Sequence, residues 1–361
     1  MSLGKRLITT DAAGGVVATD NFSVITYSGT AGVQSTNSLS SQAGTVDFEP
    51  SFVWIKARTS ATLNSLFDSI RGTANFLSSS TTTKALTTSD DGTLANTLTA
   101  FNSNGFSLGS DSGLYGVNIS SVNYVAYSWY APTSETNNAG VNGATSQSII
   151  KKNIDAGFSI VKYTGNETDQ HKVYHGLGAV PKMIILKCTG ATNPWYVYHE
   201  GVDASNPADY NLRLNESDAR QDSSTEFSDT PPTSNVFTLG TTTGTNKNST
   251  DYIAYCFADI AGYQKLGVYD GDNSTSNVVE VGFTPRFLMT KRANISGDWH
   301  IWDNMRSTSD PRNKVLRPNS SAIESSNTTQ NVNFNATSFE LASSDSSINA
   351  TGSTYIYLAI A

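Results

Sequence analysis

Short apolar runs of about five to eight residues recur along the whole chain, and Gly, Asn, Ser, Thr and Pro separate them. In NYVAYSW at 123–129, the series Tyr, Ala, Ser alternates with the series Val, Tyr, Trp. Because successive side chains of a strand point to opposite faces, this period of two predicts β-strands with one packed face and one face toward water or a second layer. The best helical candidates, at 63–70 and 148–154, span only one or two turns.

The apolar runs follow the same order three times. Each copy has an opening strand near a Gly turn, a strand that starts at a proline, a central segment, a segment that starts with Phe, and an aromatic closing strand. The first copy reads FSVITYSGT, PSFVWIK, LFDSIRG, FSLG and NYVAYSW; the second reads FSIVKYTGN, PKMIILK, YVYHEGV, FTLG and DYIAYCF; the third reads KLGVYDGDN, PRFLMTK, HIWDNMR, FELA and TYIYLAI. The spacing between these segments is nearly constant, which indicates three diverged copies of one module of roughly 100 residues.

The predicted fold class is all-β, with three tandem antiparallel β-sandwich modules of jelly-roll-like type, because each copy supplies about seven or eight short strands. The predicted parts are an N-terminal arm at 1–20, a first sandwich repeat at 21–133, a linker at 134–156, a second repeat at 157–261 and a third at 262–361. The linker is inferred from its Gly, Ser, Thr and Asn content and its lack of aromatic residues. Repeats two and three meet almost without a spacer, so we expect them to pack as a unit.

Composition narrows the classes of partner and compartment. Only 15% of the residues are charged, and the formal net charge is -8. A negative protein is not attracted to phosphates or to an anionic membrane surface, so no nucleic acid and no membrane insertion are expected. No apolar stretch reaches the ~18 residues that would span a bilayer. Two cysteines do not make a disulfide framework, which favours synthesis in a reducing cytoplasm.

The motifs of the second copy are the fullest: FSIVKYTGN at 158–166, HGLGAVP at 175–181 and DYIAYCFADIAGY at 251–263. This series resembles a repeat found in virion structural proteins of marine bacteriophages, such as tail fibres, adhesins and capsid-associated appendages. The first copy has QAGTVDFEP from Gln42 in place of the HGLG element, and the third has EVGFTP at 280–285. The resemblance covers nearly the whole chain.

The resemblance implies a virion protein without catalysis and without a cofactor, made in the host cytoplasm. The GKRLITT start is similar to the leader of such proteins, which makes Lys5, Arg6, Leu7 and Ile8 the expected attachment arm. The implied partners are other virion proteins, further copies of this chain in a homotrimer, and a host-surface glycan. The favoured function is a fibre or adhesin subunit. A capsid-decorating protein is the alternative, and an extracellular polysaccharide-degrading enzyme is the least favoured.

Two sets of ionisable residues occupy aligned positions in the three copies. The central segment carries Asp68, His199 and Asp303, and the strand after the proline carries Lys56, Lys187 and Lys291. A carboxylate or a histidine is suited to general acid–base catalysis. A catalytic group is needed once, however, whereas a position that recurs in every copy is typical of a scaffold. We therefore expect the first set to orient the loop after its strand, and the lysines to face solvent or guard a sheet edge.

Histidines and cysteines offer little metal or redox chemistry. His171 and His175 stand four residues apart, as zinc ligands sometimes do, but no cysteine or third histidine is close in sequence, so no metal site is expected. The DGDN segment at 270–273 lacks a full calcium loop and is interpreted as a turn. Cys188 and Cys256 are able to form a bridge if their strands are neighbours, although two buried free thiols are favoured.

Five aromatic residues flank the central segments next to amide and carboxylate side chains. They are Trp195, Tyr196, Tyr198, Trp299 and Trp302. Aromatic rings stack on the apolar face of a sugar while neighbouring polar groups bind its hydroxyls, so these residues are the candidate glycan site. The alternative is that they are core residues of their strands.

Overall fold

The computed structural model describes residues 16–111, 113, 115–326 and 328–361. Strands make up 39% of the chain and helices 7%, and the named strands pair antiparallel, so the all-β prediction is confirmed. The helices are single turns. They are the α-helices α1 (Ser224–Phe227), α2 (Thr243–Asn246) and α3 (Ser346–Asn349) and the 3-10 helices Ala18–Asp20, Gly92–Asn96 and Pro207–Asp209.

Unit 1, residues 22–129, has two sheets with an apolar layer between them. Its strands are β1 (Phe22–Ser28), β2 (Gln34–Ser35), β3 (Phe52–Ala57), β4 (Ser65–Asp68), β5 (Leu77–Ser78), β6 (Leu98–Asn102), β7 (Gly105–Leu108) and β8 (Asn123–Trp129). The main sheet has the order β1-β8-β3-β4-β5, and the second sheet has the order β2-β7-β6.

Unit 2, residues 133–257, has the largest main sheet of the three units described here. Its strands are β9 (Thr133–Asn137), β10 (Ser148–Asn153), β11 (Phe158–Thr164), β12 (His171–Tyr174), β13 (Met183–Cys188), β14 (Trp195–His199), β15 (Tyr210–Arg213), β16 (Gln221–Asp222), β17 (Val236–Leu239) and β18 (Asp251–Phe257). The main sheet has the order β16-β15-β14-β13-β18-β11-β10-β9, and β12 pairs with β17 as a second layer.

Unit 3, residues 264–360, repeats the two-layer arrangement with shorter sheets. Its strands are β19 (Gln264–Asp270), β20 (Asn277–Glu280), β21 (Phe287–Arg292), β22 (Trp299–Asp303), β23 (Lys314–Val315), β24 (Ser325–Ser326), β25 (Val332–Phe334), β26 (Ser338–Leu341) and β27 (Thr354–Ile360). The main sheet has the order β19-β27-β21-β22, and β20, β26 and β25 form the second sheet.

The three main sheets share one strand order and one pair of tyrosines. In each unit the opening strand pairs with the closing strand, which pairs with the strand after the proline, which pairs with the next strand in sequence. The opening and closing strands place two tyrosines opposite each other, with stacked rings 5.0, 5.1 and 4.9 Å apart. These pairs are Tyr27 with Tyr124, Tyr163 with Tyr252, and Tyr269 with Tyr355. The sequence motifs therefore mark structurally equivalent strands.

The segment at 134–156, which composition predicts to be a linker, is part of the main sheet of unit 2. Strand β10 pairs with β11, and β9 pairs with β10. The linker interpretation is therefore wrong. Main-chain hydrogen bonds can hold a strand at the edge of a sheet even when its side chains are polar, so the polar composition of this segment indicates only that one face of the strand meets water. The helical candidates at 63–70 and 148–154 likewise contain β4 and β10.

Each main sheet has one face that is turned away from the second layer of its own unit. These three faces pack against one another and form a shared central core. Side chains from all three units belong to one continuous apolar cluster. The Trp129 ring touches Phe158 of unit 2 and Phe287 of unit 3, at centroid distances of 6.2 and 6.1 Å. Each main sheet is thus covered on both faces, by its own second layer and by the other two units. Unit 1 therefore shares the same apolar core as units 2 and 3. The sequence predicts such packing for units 2 and 3 alone.

We predict that Trp129→Ala lowers the free energy of unfolding by about 3–5 kcal/mol, as expected for a large ring removed from a close-packed core. The indole N–H of Trp129 has no hydrogen-bond partner, so the loss is one of packing. Denaturant titration followed by circular dichroism measures it. The control is Val33→Ala, because Val33 is 81% exposed. Equal stability of the two variants would show that the central core contributes little to the fold.

Candidate functional site

The three aligned lysines are buried and bind the neighbouring unit. Each ammonium donates to a backbone carbonyl in a loop of another unit: Lys56 to Ser321 at 3.0 Å, Lys187 to Thr82 at 2.9 Å and Lys291 to Asp218 at 2.8 Å. The three lysines are at most 1% exposed, so the prediction that they face solvent or guard an edge is wrong. Burial lowers the pKa of each to about 8. The contacts run from unit 1 to 3, from 2 to 1 and from 3 to 2, which closes a ring.

Two of the aligned polar residues, Asp68 and Asp303, make the same set of contacts. One carboxylate oxygen accepts two backbone N–H groups of the following loop. The other accepts an arginine Nε–H of that loop at 2.5 Å and a tyrosine hydroxyl of another unit at 2.9 Å. The partners are Arg71 and Tyr255 for Asp68, and Arg306 and Tyr127 for Asp303. These residues orient the loop after their strand and also join neighbouring units.

His199 occupies the aligned position in unit 2 and reaches unit 3. Its Nδ1 accepts the backbone N–H of Gly201 at 3.0 Å, and its Nε2 lies 3.3 Å from the carbonyl oxygen of Tyr357. The ring is therefore the neutral tautomer with its hydrogen on Nε2. Burial lowers the pKa of His199 to about 4. Like the two aspartates, the His199 side chain is buried and bonds to groups inside the protein.

One backbone hydrogen bond recurs where each unit's loop meets the next. We name these places junction 1–2, junction 2–3 and junction 3–1, after the units that supply the N–H and the carbonyl. The bonds are Ala85 N–H to Thr189 O at 3.1 Å, Arg220 N–H to Ala293 O at 2.7 Å, and Glu324 N–H to Arg58 O at 2.9 Å. Thr189, Ala293 and Arg58 each stand eight positions after the proline of their copy. The bonds therefore define equivalent positions whose side chains can be compared.

Long side chains occupy two of the three junctions. At junction 3–1, Arg58 and Glu324 form a bidentate ion pair at 2.9 and 3.0 Å, and Arg306 also reaches Glu324. At junction 2–3, the Arg220 guanidinium donates to Val202 O and pairs with Asp203. The Arg58–Glu324 pair thus joins units 3 and 1, whereas the Arg220 side chain bonds within unit 2.

Junction 1–2 is an open cleft of about 490 Å³, because the equivalent positions carry the small residues Ala85 and Thr189. Two ion pairs stand on its walls, Lys84 with Asp90 at 2.7 Å and Lys162 with Asp251 at 3.0 Å. The cleft is lined further by Ile70, Arg71, Asn75, Thr87, Ser89, Gly190 and Tyr252. Sequence reasoning missed this cleft, since it arises from small side chains in two units far apart along the chain.

The five aromatic residues of the predicted glycan site are all buried. Trp195, Tyr196, Tyr198, Trp299 and Trp302 are between 0% and 6% exposed. The Trp195 and Trp299 indoles donate to the carbonyls of Ser78 and Arg213 in neighbouring units, at 2.8 and 2.9 Å. Trp195 and Trp299 lie in the core shared by the units, and Tyr196, Tyr198 and Trp302 lie in the cores inside units 2 and 3. A sugar cannot stack on rings that are buried in this way, so the prediction of a glycan site at these residues is wrong. Both faces of the strands that carry these residues are buried, as the alternative interpretation of core residues predicted.

His171 and His175 do not converge on a metal. His171 bonds to Asn246 and Ser146 at 2.6 and 2.7 Å, and His175 bonds to the carbonyl of Thr233 at 3.1 Å. In the part of the chain that the structure describes, no group of three His, Cys, Asp or Glu residues is placed to hold a metal ion. The DGDN segment at 270–273 starts at the end of β19 and continues into a bend, where Asp272 accepts the N–H of Ser274.

Cys188 and Cys256 are buried free thiols on neighbouring strands. The register places Cys256 opposite Ile184 and Cys188 opposite Tyr252, so the two sulfurs are four positions apart along the pair. Burial raises the pKa of Cys256 to about 12, which leaves it a poor nucleophile at neutral pH. The predicted attachment residues Lys5, Arg6, Leu7 and Ile8 lie outside the described residues.

Antiparallel sheets, a common apolar core and junctions made by buried polar residues define an all-β protein with a sandwich-like layered build. The family model "Domain of unknown function (DUF7483)" matches residues 17–361, and the chain belongs to this family. Neither the curated proteins nor the solved structures give a match to the chain. Among the described residues, no helix has the length and apolar character needed to cross a membrane.

We predict that Asp303→Ala destabilises the fold by about 3–5 kcal/mol, because it removes the 2.5 Å partner of the buried Arg306 and leaves that charge with Glu324 at 3.3 Å. Asp303 and Arg306 side chains are both 0% exposed. The control is Lys84→Met, which breaks a Lys–Asp pair at the surface whose lysine is 44% exposed. Thermal and urea unfolding compare the two. A change for Lys84→Met as large as that for Asp303→Ala would contradict the assigned role of the buried pair.

Acid should destabilise the protein between about pH 6.5 and pH 4. All four histidines are buried, and burial lowers the pKa of His175, His199 and His300 to about 4 and that of His171 below its usual value. Unfolded histidines take up protons below about pH 6.5, whereas the folded ones do not until the pH is lower. The stability is therefore complete above pH 6.5 and is lost as the pH falls.

Urea midpoints measured across this pH range test the acid dependence. The variant His300→Phe keeps a ring against Trp302 and removes a histidine whose Nε2 has no partner. It should reduce the proton uptake on unfolding by about one. If the variant and the wild type show the same slope of stability against pH, the buried histidines are not the source of the acid sensitivity.

Proposed function

We propose that this protein is a non-enzymatic structural protein of a bacteriophage virion, an appendage subunit of fibre or adhesin type. In this proposal units 1, 2 and 3 are diverged tandem copies of one antiparallel β-sandwich module of jelly-roll-like type. Other virion proteins hold the chain through its N-terminal arm, and the modules face a host-surface glycan. The sequence resemblance suggests the virion, and the structure supports the absence of catalysis.

The observation that carries the proposal is the use of every aligned ionisable group as a contact between units. Asp68, His199 and Asp303 all have partners inside the protein, and so do the three aligned lysines. A group held by several fixed partners in a dry interior is a poor acid–base catalyst, because no substrate reaches it. Such repeated internal bonding is instead suited to a rigid body.

A polysaccharide-degrading enzyme fits the cleft at junction 1–2 poorly. A glycosidase needs two carboxyl groups, one with a raised pKa so that it donates a proton to the leaving oxygen. A hydrogen bond from Lys84 lowers the pKa of Asp90 to about 2. Partial burial raises the pKa of Asp251, but hydrogen bonds from Lys162 and Thr164 outweigh it and the net shift is downward. Both carboxylates of the cleft are therefore held ionised.

A capsid-decorating protein is the second candidate, and the ring of units favours it. A fibre would be served by units strung along an axis, whereas units 1, 2 and 3 pack around one core as a compact body. The large apolar side chains that are exposed among the described residues are Val and Ile, so an aromatic receptor-binding patch is not among them. A homotrimer, as expected for a fibre, would have to form through the outer surfaces, since the central faces are already covered within one chain.

Immunogold electron microscopy of intact virions tests the proposal. We expect antibody against this chain to label the particle at the tail or on projecting fibres. Label spread over the head would replace the appendage with the capsid-decorating function. The control is an antibody against a non-structural protein of the same phage. Absence of label from particles that contain the gene would refute the virion assignment altogether.

A further inference from the structure

We propose that the cleft at junction 1–2 is a binding site for a neutral oligosaccharide. This inference rests on the proposed virion function and deepens it, because it names the class of ligand and the place where it binds. It uses none of the five buried aromatic residues. The cleft lies between the loop of unit 1 that carries Lys84 and Ala85 and the edge of unit 2 that carries Lys162 and Thr189.

The first argument compares equivalent positions. The recurring backbone bond places Ala85, Arg220 and Glu324 at the same position of the three junctions. Glu324 and Arg58 form an ion pair across junction 3–1, and Arg220 at junction 2–3 is a long side chain that pairs with Asp203 of its own unit. Junction 1–2 keeps the backbone bond but has Ala85 and Thr189 there instead. Junction 1–2 therefore contains a cleft although its backbone bond matches those of the other two junctions.

The second argument is that charged residues line both walls of the cleft at junction 1–2. The register of the tyrosine pairs makes Thr26, Lys162 and Val268 equivalent, since each precedes the tyrosine of its opening strand. Of these three residues only Lys162, in the unit whose edge forms one wall of junction 1–2, is charged, and it pairs with Asp251 at 3.0 Å. On the opposite wall Lys84 pairs with Asp90 at 2.7 Å. Both walls of the cleft therefore offer charged groups to a ligand.

The walls of the cleft are held in place before any ligand arrives. Thr189 accepts from Ala85 through its carbonyl and donates through its N–H to Asp251 O at 2.9 Å. In the loop of unit 1, the Asp90 carboxylate accepts from the N–H and the hydroxyl of Thr87, both at 2.9 Å. A site that is already ordered loses little conformational entropy on binding.

The chemistry of the lining selects the ligand class. Each lysine of the walls is paired with a carboxylate of the lining, and Arg71 is paired with the buried Asp68, so every cation of the cleft is neutralised by a partner. Ammonium groups donate, carboxylates accept, and the hydroxyls of Thr87, Ser89 and Thr189 do both. Sugar hydroxyls also do both, and Ile70 and Ala85 provide an apolar floor for the carbon face of a ring. A volume of about 490 Å³ lies within the usual range for a ligand site.

The test copies the filled junction into the open one. The double variant Ala85→Glu with Thr189→Arg places the ion pair of junction 3–1 at the equivalent positions of junction 1–2. A second variant, Lys162→Thr, gives the strand the residue found at the equivalent position of unit 1. The control is Val278→Ser, because Val278 is exposed in unit 3 away from the cleft lining. Thermal unfolding of each variant checks that it is folded.

The probe is an array of neutral and acidic bacterial oligosaccharides, followed by calorimetric titration of the full chain with the best-bound one. We expect a neutral oligosaccharide to bind the wild type and Val278→Ser equally. The double variant should bind at least about tenfold more weakly, and Lys162→Thr should also be weaker, since lost hydrogen bonds and lost space both act at the site.

Three results would overturn the inference: no oligosaccharide bound by the folded wild type, preferential binding of acidic oligosaccharides, or unchanged affinity in the double variant. The virion assignment has its own readout in the gold label. A protein that labels virions but binds no sugar would remove the cleft proposal alone. A protein that binds sugar through the cleft but is absent from virions would remove the virion assignment alone.

Discussion

The packing of three main sheets on one another is the constraint on which the rest of the structure depends. Each main sheet has apolar side chains on both faces: along β3, Phe52 and Trp54 enter the central core, while Val53 and Ile55 enter the core inside unit 1. One face is covered by the unit's own second layer. The other would expose a large apolar surface if the unit stood alone, and such surfaces favour association. Three of these faces within one chain cover each other, which explains why the units form a ring.

Apolar packing supplies most of the favourable free energy, but it does not fix the order of the units or their rotation. Directional contacts between buried polar groups do that. A buried ammonium is stable only with acceptors in place, and Lys56, Lys187 and Lys291 each find them in a loop of one particular neighbour. A rotated or reordered ring would remove the acceptor that the neighbouring unit supplies and leave each buried ammonium group with acceptors of its own unit alone. The lysines therefore exclude other arrangements, which is a role that buried polar residues have in several protein systems.

The strands and their order follow from the sequence because the repeated motifs are local. Apolar alternation, turn residues and the proline that begins each strand act over a few positions, so the strands β1, β3 and β8 and their counterparts coincide with the motifs. The partners of the buried polar residues, in contrast, cannot be predicted from the sequence. Lys56 meets Ser321, 265 positions away, through a backbone carbonyl that any residue would supply. The aromatic residues mislead for a related reason: a strand whose two faces are both interior has the same alternation as a strand with one face exposed.

The difference among the three junctions is hard to explain by stability alone. Junction 3–1 shows that the fold accommodates an arginine and a glutamate at these positions, with the Glu324 carboxylate only 9% exposed. A partly buried, bidentate pair of this kind contributes more than an exposed one. With Ala85 and Thr189 at these positions, junction 1–2 has neither that ion pair nor its packing contacts. The backbone hydrogen bond is nevertheless present at all three junctions. Junctions 1–2 and 3–1 have the same backbone bond and differ in the side chains at the two bonded positions. The space that Ala85 and Thr189 leave is lined by two ion pairs, and selection for ligand binding at this cleft would account for the small residues there.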